Sequence, residues 1–232
     1  MRDVKVGYLA SFVVIKSLPH YDSYLTKLVN SELLALLPKK WATKEHKIND
    51  SGWAVIYDLK GARITLSQKC PMYVRKMLEY LFADALTDLG VKLKKVAASE
   101  RTKFAKVAAE PANGNAKTNH ELFRLFQPYM EKARVEDYIS EKISFVKYSR
   151  DIKEYVINAL CPPGLSEYVY MVTLNRANEE LMIDITVDKK YMGLFVGTGG
   201  VNILLASKLC GCKISVLGVS KDTLDKFKNI TN

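Results

Sequence analysis

The segment Val196-Gly197-Thr198-Gly199-Gly200-Val201 restricts this chain more than any other. Lys189 to Phe195 before it and Val201 to Cys210 after it read as short helices, and Lys213 to Leu217 reads as a strand. Glycines between two helices let the backbone turn sharply and let a ligand come close. The order extends upstream. Asp151 to Leu160 reads as a helix with Ser149 as its cap, ended by Cys161-Pro162-Pro163-Gly164. Tyr168 to Leu174 and Leu181 to Val187 read as strands around a turn at Asn175 to Asn178. The unit is therefore helix, strand, strand, helix, helix, strand.

The same order occurs once before. Pro71 sits at a helix start, and Met72, Val74, Met77, Leu78, Leu81 and Phe82 follow with helical periodicity until Gly90 closes the helix. Val91 to Ala98 and Lys103 to Ala109 read as strands joined by Ser99 to Thr102. After a loop at Pro111 to Thr118, a helical stretch from Asn119 to about Tyr138 is expected to be interrupted by Pro128. Ile143 to Val146 closes the unit as a strand. Two successive units of one order form a structural repeat whose sequences have diverged.

Residues 4–67 are β-rich: Val4 to Ile15, Leu33 to Leu37, and a hairpin of Trp53 to Leu59 and Ala62 to Leu66 around Lys60-Gly61. Short strands with turn signals suggest a small barrel or sandwich. Lys39 to Ser51 reads as a polar, basic loop, and Ser220 to Asn232 as a frayed helix or mobile end. The chain is 48 % hydrophobic and 26 % charged, which excludes disorder as the main state. No apolar run is read as long enough to span a bilayer, and the first residues lack the pattern of a secretory signal. Cys70, Cys161, Cys210 and Cys212 are few and irregularly spaced, which suits free thiols in a reducing compartment.

Thirty-five basic against twenty-five acidic residues leave a net charge of +10, which favours a polyanionic partner. The surplus is uneven. Residues 1–70 hold 11 basic and 6 acidic side chains, residues 71–149 hold 14 and 10, and residues 150–232 hold 10 and 9. The positive field belongs to the first two thirds.

The amides of Gly199 and Gly200 are expected to point outward at the start of the following helix. Free N–H groups and the positive end of the helix dipole hold phosphate there. No Gly-Lys-Ser/Thr follows, so this is not a P-loop, and a helix rather than a strand precedes it, so it is not a dinucleotide fingerprint. A GXXG turn between two helices and followed by a strand is the RNA-clamping loop of a KH domain.

Residues 196–214, Val-Gly-Thr-Gly-Gly-Val-Asn-Ile-Leu-Leu-Ala-Ser-Lys-Leu-Cys-Gly-Cys-Lys-Ile, resemble the last KH domain of the NusA family of bacterial transcription factors. Tyr148-Ser149 to Asn158-Ala159-Leu160 is similar to the family's junction into that domain. Gly61-Ala62-Arg63-Ile64-Thr65-Leu66-Ser67 to Pro71, with Val74-Arg75-Lys76, is similar to its exit from an OB-fold barrel, and Arg101-Thr102-Lys103 to a turn of its first KH domain. The resemblance implies an α+β chain: a five-stranded OB-type RNA-binding barrel at 1–68, a degenerate type II KH domain of order αββααβ at 69–148, a second type II KH domain with GXXG at 149–219, and a polar tail at 220–232.

Departures from the family pattern carry expectations of their own. The first unit's glycine loop should fall at Leu125-Phe126-Gln127-Pro128, where no glycine stands, so that unit is expected to have lost its clamp. Thr198, Val201 and Leu204 replace basic or amide residues around the second loop, and Asn202 alone keeps an amide. Family members begin with a polymerase-binding helical domain, whereas Met1 stands almost at the barrel, so direct polymerase contact does not carry over.

The RNA-binding residues expected are Gly197, Thr198, Gly199, Gly200, Val201, Asn202, Lys189, Lys190 and Lys208, with Lys92, Lys94, Lys95, Arg101 and Lys103 of a basic hairpin that also includes Lys106. The same hairpin can be read as a lysine-guarded sheet edge. Phe12, Tyr21 and Tyr24 are either a base-stacking platform or core and hairpin residues. No cysteine or histidine pairing, HExxH or GxSxG suggests zinc or catalysis. The expectation is a cytoplasmic, monomeric, non-enzymatic protein without cofactor or metal. It would bind single-stranded RNA in transcription elongation, pausing, termination or antitermination, with RNA polymerase or other transcription factors as further partners and no membrane. The alternative is a protein-docking platform for RNA polymerase or ribosome assembly with vestigial RNA binding. An accessory module of an RNA-processing enzyme ranks last.

Overall fold

A computed structural model describes residues 4–29, 31–99, 102–111, 118–177, 180–220 and 222–223. The chain divides into two compact units, Met1–Gly90 with Gln127–Lys142 and Val91–Phe126 with Ile143–Asn232.

In the first unit β1 (Leu9–Leu18), β2 (Ser23–Leu28), β3 (Leu34–Pro38), β4 (Ser51–Lys60) and β5 (Arg63–Ser67) close a barrel in the order β1-β2-β3-β5-β4. Antiparallel β1–β4 pairing seals it, and β3–β5 is a parallel pair. A register shift between Val14 and Lys16 bends β1, so that one strand reaches two partners around a tight curve. Phe12, Val14, Tyr24, Leu37, Ile56 and Leu66 fill the interior. The hairpin of β4 and β5 turns at Gly61, whose φ of 58° suits glycine. Sequence reading missed β2 because polar Thr26 interrupts its apolar alternation. Thr26 is fully buried, and its hydroxyl donates to the Ala35 carbonyl at 2.9 Å, so it enters the core without an orphaned group.

The polar stretch after β3 is tied down by His46. This ring is buried against Phe12 and Tyr24, with Nε2 3.1 Å from Gln68 Oε1. Gln68 also accepts from Thr43 N–H and donates to the Trp53 carbonyl. A segment read as a solvated loop therefore lies partly across the barrel interior.

Helix α1 (Pro71–Leu81) begins at Pro71 and buries Tyr73, Val74, Met77 and Leu78, as their spacing predicts. The backbone bends at Phe82, whose ring is buried, and α2 (Ala83–Asp88) runs on to Gly90 in place of one uninterrupted helix. The Tyr73 hydroxyl donates to the Tyr138 carbonyl at 2.9 Å, and burial pushes its pKa up. Tyr73→Phe should lower unfolding free energy by about 1 kcal/mol, read as a shift of the urea midpoint at constant slope. An unchanged midpoint would show that water replaces the bond without loss.

The second unit holds two sheets. β6 (Val91–Ser99), β7 (Phe104–Pro111) and β8 (Lys142–Lys147) lie in that order. The other sheet is β9 (Val169–Ala177), β10 (Glu180–Asp188) and β11 (Lys213–Val219), with β9–β10 antiparallel and β10–β11 parallel. α3 (Asn119–Ala133) passes through Pro128 without interruption, so Leu125 to Pro128 form no loop at all. Buried Leu122 and Phe126 anchor α3, with Phe126 stacked on Phe145 at 4.3 Å between centroids. That packing outweighs the one hydrogen bond that proline removes.

Helix α4 (Ile152–Leu160) is capped by Asp151, whose carboxylate accepts from Lys153 N–H at 2.9 Å. Ser149 instead donates to Glu154 and accepts from Asp151 N–H, which corrects its assignment as the cap. α5 (Met192–Val196) and α6 (Val201–Cys210) flank the glycine turn. By length and apolarity Met192–Cys210 does reach a bilayer span, contrary to the expectation. Its glycines break it into two helices, however, and Phe195, Leu205, Ala206 and Leu209 are buried in a protein core. The same core includes Ala97, Ala108 and Val146 of the preceding sheet, so the two sheets share their hydrophobic filling through α6.

Candidate nucleic-acid interface

α5 ends on a bond from Gly197 N–H to the Gly193 carbonyl at 2.8 Å. Gly197 then takes φ 78°, and a Cβ there would stand 2.7 Å from Asn202 Cβ and 2.9 Å from its backbone nitrogen. This glycine is required both for its dihedral and for the close approach of α6. Gly199 (φ 59°) and Gly200 (φ 74°) are also left-handed, but a Cβ on Gly199 would meet nothing within 4 Å. Space over the turn is therefore open at exposed Thr198 and Gly199.

Two expectations need correction. Gly200 N–H does not face outward; it donates to the Gly197 carbonyl at 3.0 Å, and Val201 N–H donates to the Thr198 carbonyl. The turn thus satisfies part of the helix start itself. The Asn202 amide is also committed internally, because Nδ2 donates to the Leu160 carbonyl at 2.8 Å and the Phe195 carbonyl at 2.7 Å. Asn202 ties α4, α5 and α6 together and holds the turn in place.

The cations fall into separate groups. Lys189 and Lys190 are exposed just before α5, with Lys190 Nζ 5.2 Å from the Tyr191 ring centroid. Lys208 is exposed in the last turn of α6, about 10 Å along the axis from the glycine turn, so the fold does not bring it to that turn. Lys92, Lys94 and Lys95 are exposed on β6. Lys94 pairs with Glu110 at 2.6 Å and lies 5.2 Å over the Tyr148 ring. Lys94 and Lys95 line a recess of about 390 Å³ with Tyr148, Arg150 and Cys210. That recess touches the far end of α6 and stands apart from the turn. Lys103 is exposed at φ 53° between β6 and β7; Arg101 lies outside the described residues.

A cleft of about 440 Å³ opens beside the turn. Gly197, Thr198 and Val201 form one wall, and Phe104, Lys106 and Ser144 of the preceding sheet form the other. Lys106 donates from Nζ to the Ala159 carbonyl at 2.6 Å, and burial pulls its pKa down to about 8. Phe104 did not stand out in the sequence because nothing marks an aromatic strand residue as exposed. Titration of Lys106 Nζ by ¹⁵N NMR should give a midpoint near 8 rather than 10.5. Between those values the unfolded chain binds more protons, so this lysine's contribution to stability rises with pH across that window. A midpoint above 10 would mean that the ammonium is solvated.

In the barrel, Phe12 and Tyr24 are 0 % and 2 % exposed, so of the two readings the core one holds for both, and of the three only Tyr21 is open. Two aromatic pairs are half-exposed instead, Trp41 with Tyr57 and Trp53 with Tyr80, each 4.8 Å between centroids, with Lys40 5.2 Å from the Trp41 ring. Burial pushes the Cys161 thiol up to about 11 and Cys210 up to about 12, which keeps both protonated and unreactive at neutral pH.

Residues 152–223 match the NusA-like second KH domain. The transcription termination/antitermination protein NusA of Halalkalibacterium halodurans is 29 % identical over 198 residues, covering 82 % of this chain and 48 % of that protein. NusA of Rickettsia prowazekii is 26 % identical over 203 residues, covering 85 % and 39 %. NusA of Thermus thermophilus is 30 % identical over 146 residues, covering 60 % and 35 %. The chain spans less than half the length of these relatives. With a closed OB-like barrel followed by α+β structure whose last part matches that KH domain, the chain is similar to NusA proteins along most of its length.

Proposed function

We propose that this chain is a non-catalytic RNA-binding factor that acts during transcription elongation, pausing, termination or antitermination, and that it holds single-stranded RNA at its second KH domain. One observation carries the reading: the glycine turn at the head of α6 is open above Gly199, within a module that matches the NusA-like second KH domain. A sugar-phosphate backbone can approach such a turn closely because no side chain stands over it. Lys189 and Lys190, before the far end of α5, and the lysines of β6 add a diffuse attraction. The named function of the relatives supports the transcriptional setting; the proposal adds a cytoplasmic, monomeric chain with RNA polymerase or other transcription factors as partners. The proposed domain boundaries remain 1–68, 69–148, 149–219 and 220–232.

The test is fluorescence anisotropy with a 20-nucleotide single-stranded RNA. Three or four phosphate contacts predict a loss of roughly thirtyfold in affinity between 50 and 200 mM salt. Salt-independent binding, or none at 50 mM, would remove the reading. A second reading, a docking platform with vestigial RNA binding, draws on Leu194 and Leu204, which are 57 % and 48 % exposed. A stoichiometric protein partner that survives nuclease treatment, together with absent RNA binding, would favour it.

A further inference from the structure

The cleft beside the glycine turn has a wall that the second KH domain does not supply. Thr102, Phe104 and Lys106 come from the β6–β7 hairpin and Ser144 from β8, all belonging to the preceding repeat. We propose that this cleft receives one unstacked nucleobase of the RNA strand held at the turn, with Phe104 as its stacking surface. The first repeat, which has no glycine loop of its own, would then complete a subsite for its neighbour.

Several independent observations agree. Phe104 begins β7, is 45 % exposed and lines the cleft. Val201 and Leu205 of α6 give the facing side apolar character. Among the described residues, the buried Thr102 hydroxyl finds no hydrogen-bond partner. Lys106 uses one ammonium hydrogen on Ala159, and an ammonium carries three. The Ser144 hydroxyl is exposed on the same wall.

The site therefore offers a flat apolar face with donors around it, and none of its lining residues is acidic. A base has the matching form, π-faces with carbonyl and ring-nitrogen acceptors on its rim. The volume is adequate for a small aromatic ligand. Gly197 and Thr198 line both cleft and turn, so a nucleotide whose phosphate rests on the turn has its base within reach. An apolar peptide would leave the Lys106 ammonium facing hydrocarbon, at a desolvation cost.

This inference rests on the RNA-binding reading, and its test separates the two. Anisotropy is measured on 12-nucleotide oligoadenylate and on a set of the same strand with one abasic position each. Phe104→Ala should weaken the intact strand about five- to thirtyfold, the range that one base–aromatic stack gives. Against the strand whose abasic site falls in the cleft, the same variant should have no further effect. Phe104→Trp should restore binding. Because the ring is half exposed, thermal melting of both variants should match the parent.

Three outcomes overturn the proposal: unchanged affinity in Phe104→Ala, an equal loss on every abasic strand, or loss of a protein partner with RNA binding intact. If Thr198→Asp with Gly199→Asp weakens binding while Phe104→Ala does not, the cleft fails and the clamp stands. If neither variant weakens binding, the RNA reading falls as well.

Discussion

Thr198→Asp combined with Gly199→Asp should cut single-stranded RNA affinity by at least about a hundredfold while lowering the melting temperature by no more than about 4 °C. The reason lies in the different demands on the turn's glycines. Gly199 adopts φ 59°, a value aspartate tolerates better than most residues, and a Cβ there meets nothing within 4 Å. Thr198 is exposed, so its replacement disturbs no packing. Both new carboxylates lie just before α6, where the helix dipole favours negative charge. That favourable term offsets part of the strain at position 199, so the double variant should stay folded with a loss of no more than about 1 kcal/mol. A phosphate at the same place meets two like charges within several ångströms, which costs roughly 3 kcal/mol or more at an intermediate dielectric. Anisotropy and differential scanning calorimetry on one preparation check both halves. Full affinity in a folded double variant would exclude the turn as the RNA clamp.

The largest stability effect is expected two positions earlier. Gly197→Val should destabilise the second unit by about 3 kcal/mol or more, because the substitution fails in two ways. A β-branched residue at φ 78° is strained. Its Cβ would also overlap Asn202 at 2.7–2.9 Å, and part of that contact is backbone that cannot rotate away. Moving Asn202 would break its bonds to the Leu160 and Phe195 carbonyls, so the strain spreads to α4 and α5. Gly199→Ala has only the dihedral to overcome and should lose about 1 kcal/mol. Denaturant midpoints for the two single variants give the comparison, and hydrogen exchange in β10 and α6 locates it. Equal losses at 197 and 199 would show that the close approach of Asn202 is relaxed in solution.

These contrasts separate features visible in the sequence from those that depend on folding. The helix, strand, strand, helix, helix, strand order of the second module could be read because each element carries its own signal, whereas the first module has one unbroken helix, α3, between its second and third strands. Apolar spacing marks α1 and α4, β-branched runs mark β10 and β11, and glycines with left-handed dihedrals mark the turn. Where a local signal pointed one way and packing another, packing prevailed. Pro128 reads as a break, yet α3 continues through it because Phe126 is locked against Phe145. Polar Thr26 interrupts the apolar alternation of β2, yet one hydrogen bond lets it sit inside the barrel.

The candidate site shows the same division. Its glycines and flanking lysines were recognisable as residue types at a spacing. Whether a donor remains available could not be read in that way. The Asn202 amide and Gly200 N–H are occupied by carbonyls that chain folding brings to them, from as far away as Leu160. Lys208 and Asn202 are six residues apart, but the helix carries the lysine to its opposite end.

The amino-acid sequence alone determined the order of elements in the second KH module, the place of the glycine turn and the excess of positive charge, because each depends on neighbours within a few residues. Only the tertiary structure decided that Phe104, Lys106 and Ser144 stand opposite that turn and that Asn202 faces inward. Those placements depend on α6 packing against a sheet formed roughly a hundred residues earlier, and no local periodicity encodes a contact at that separation.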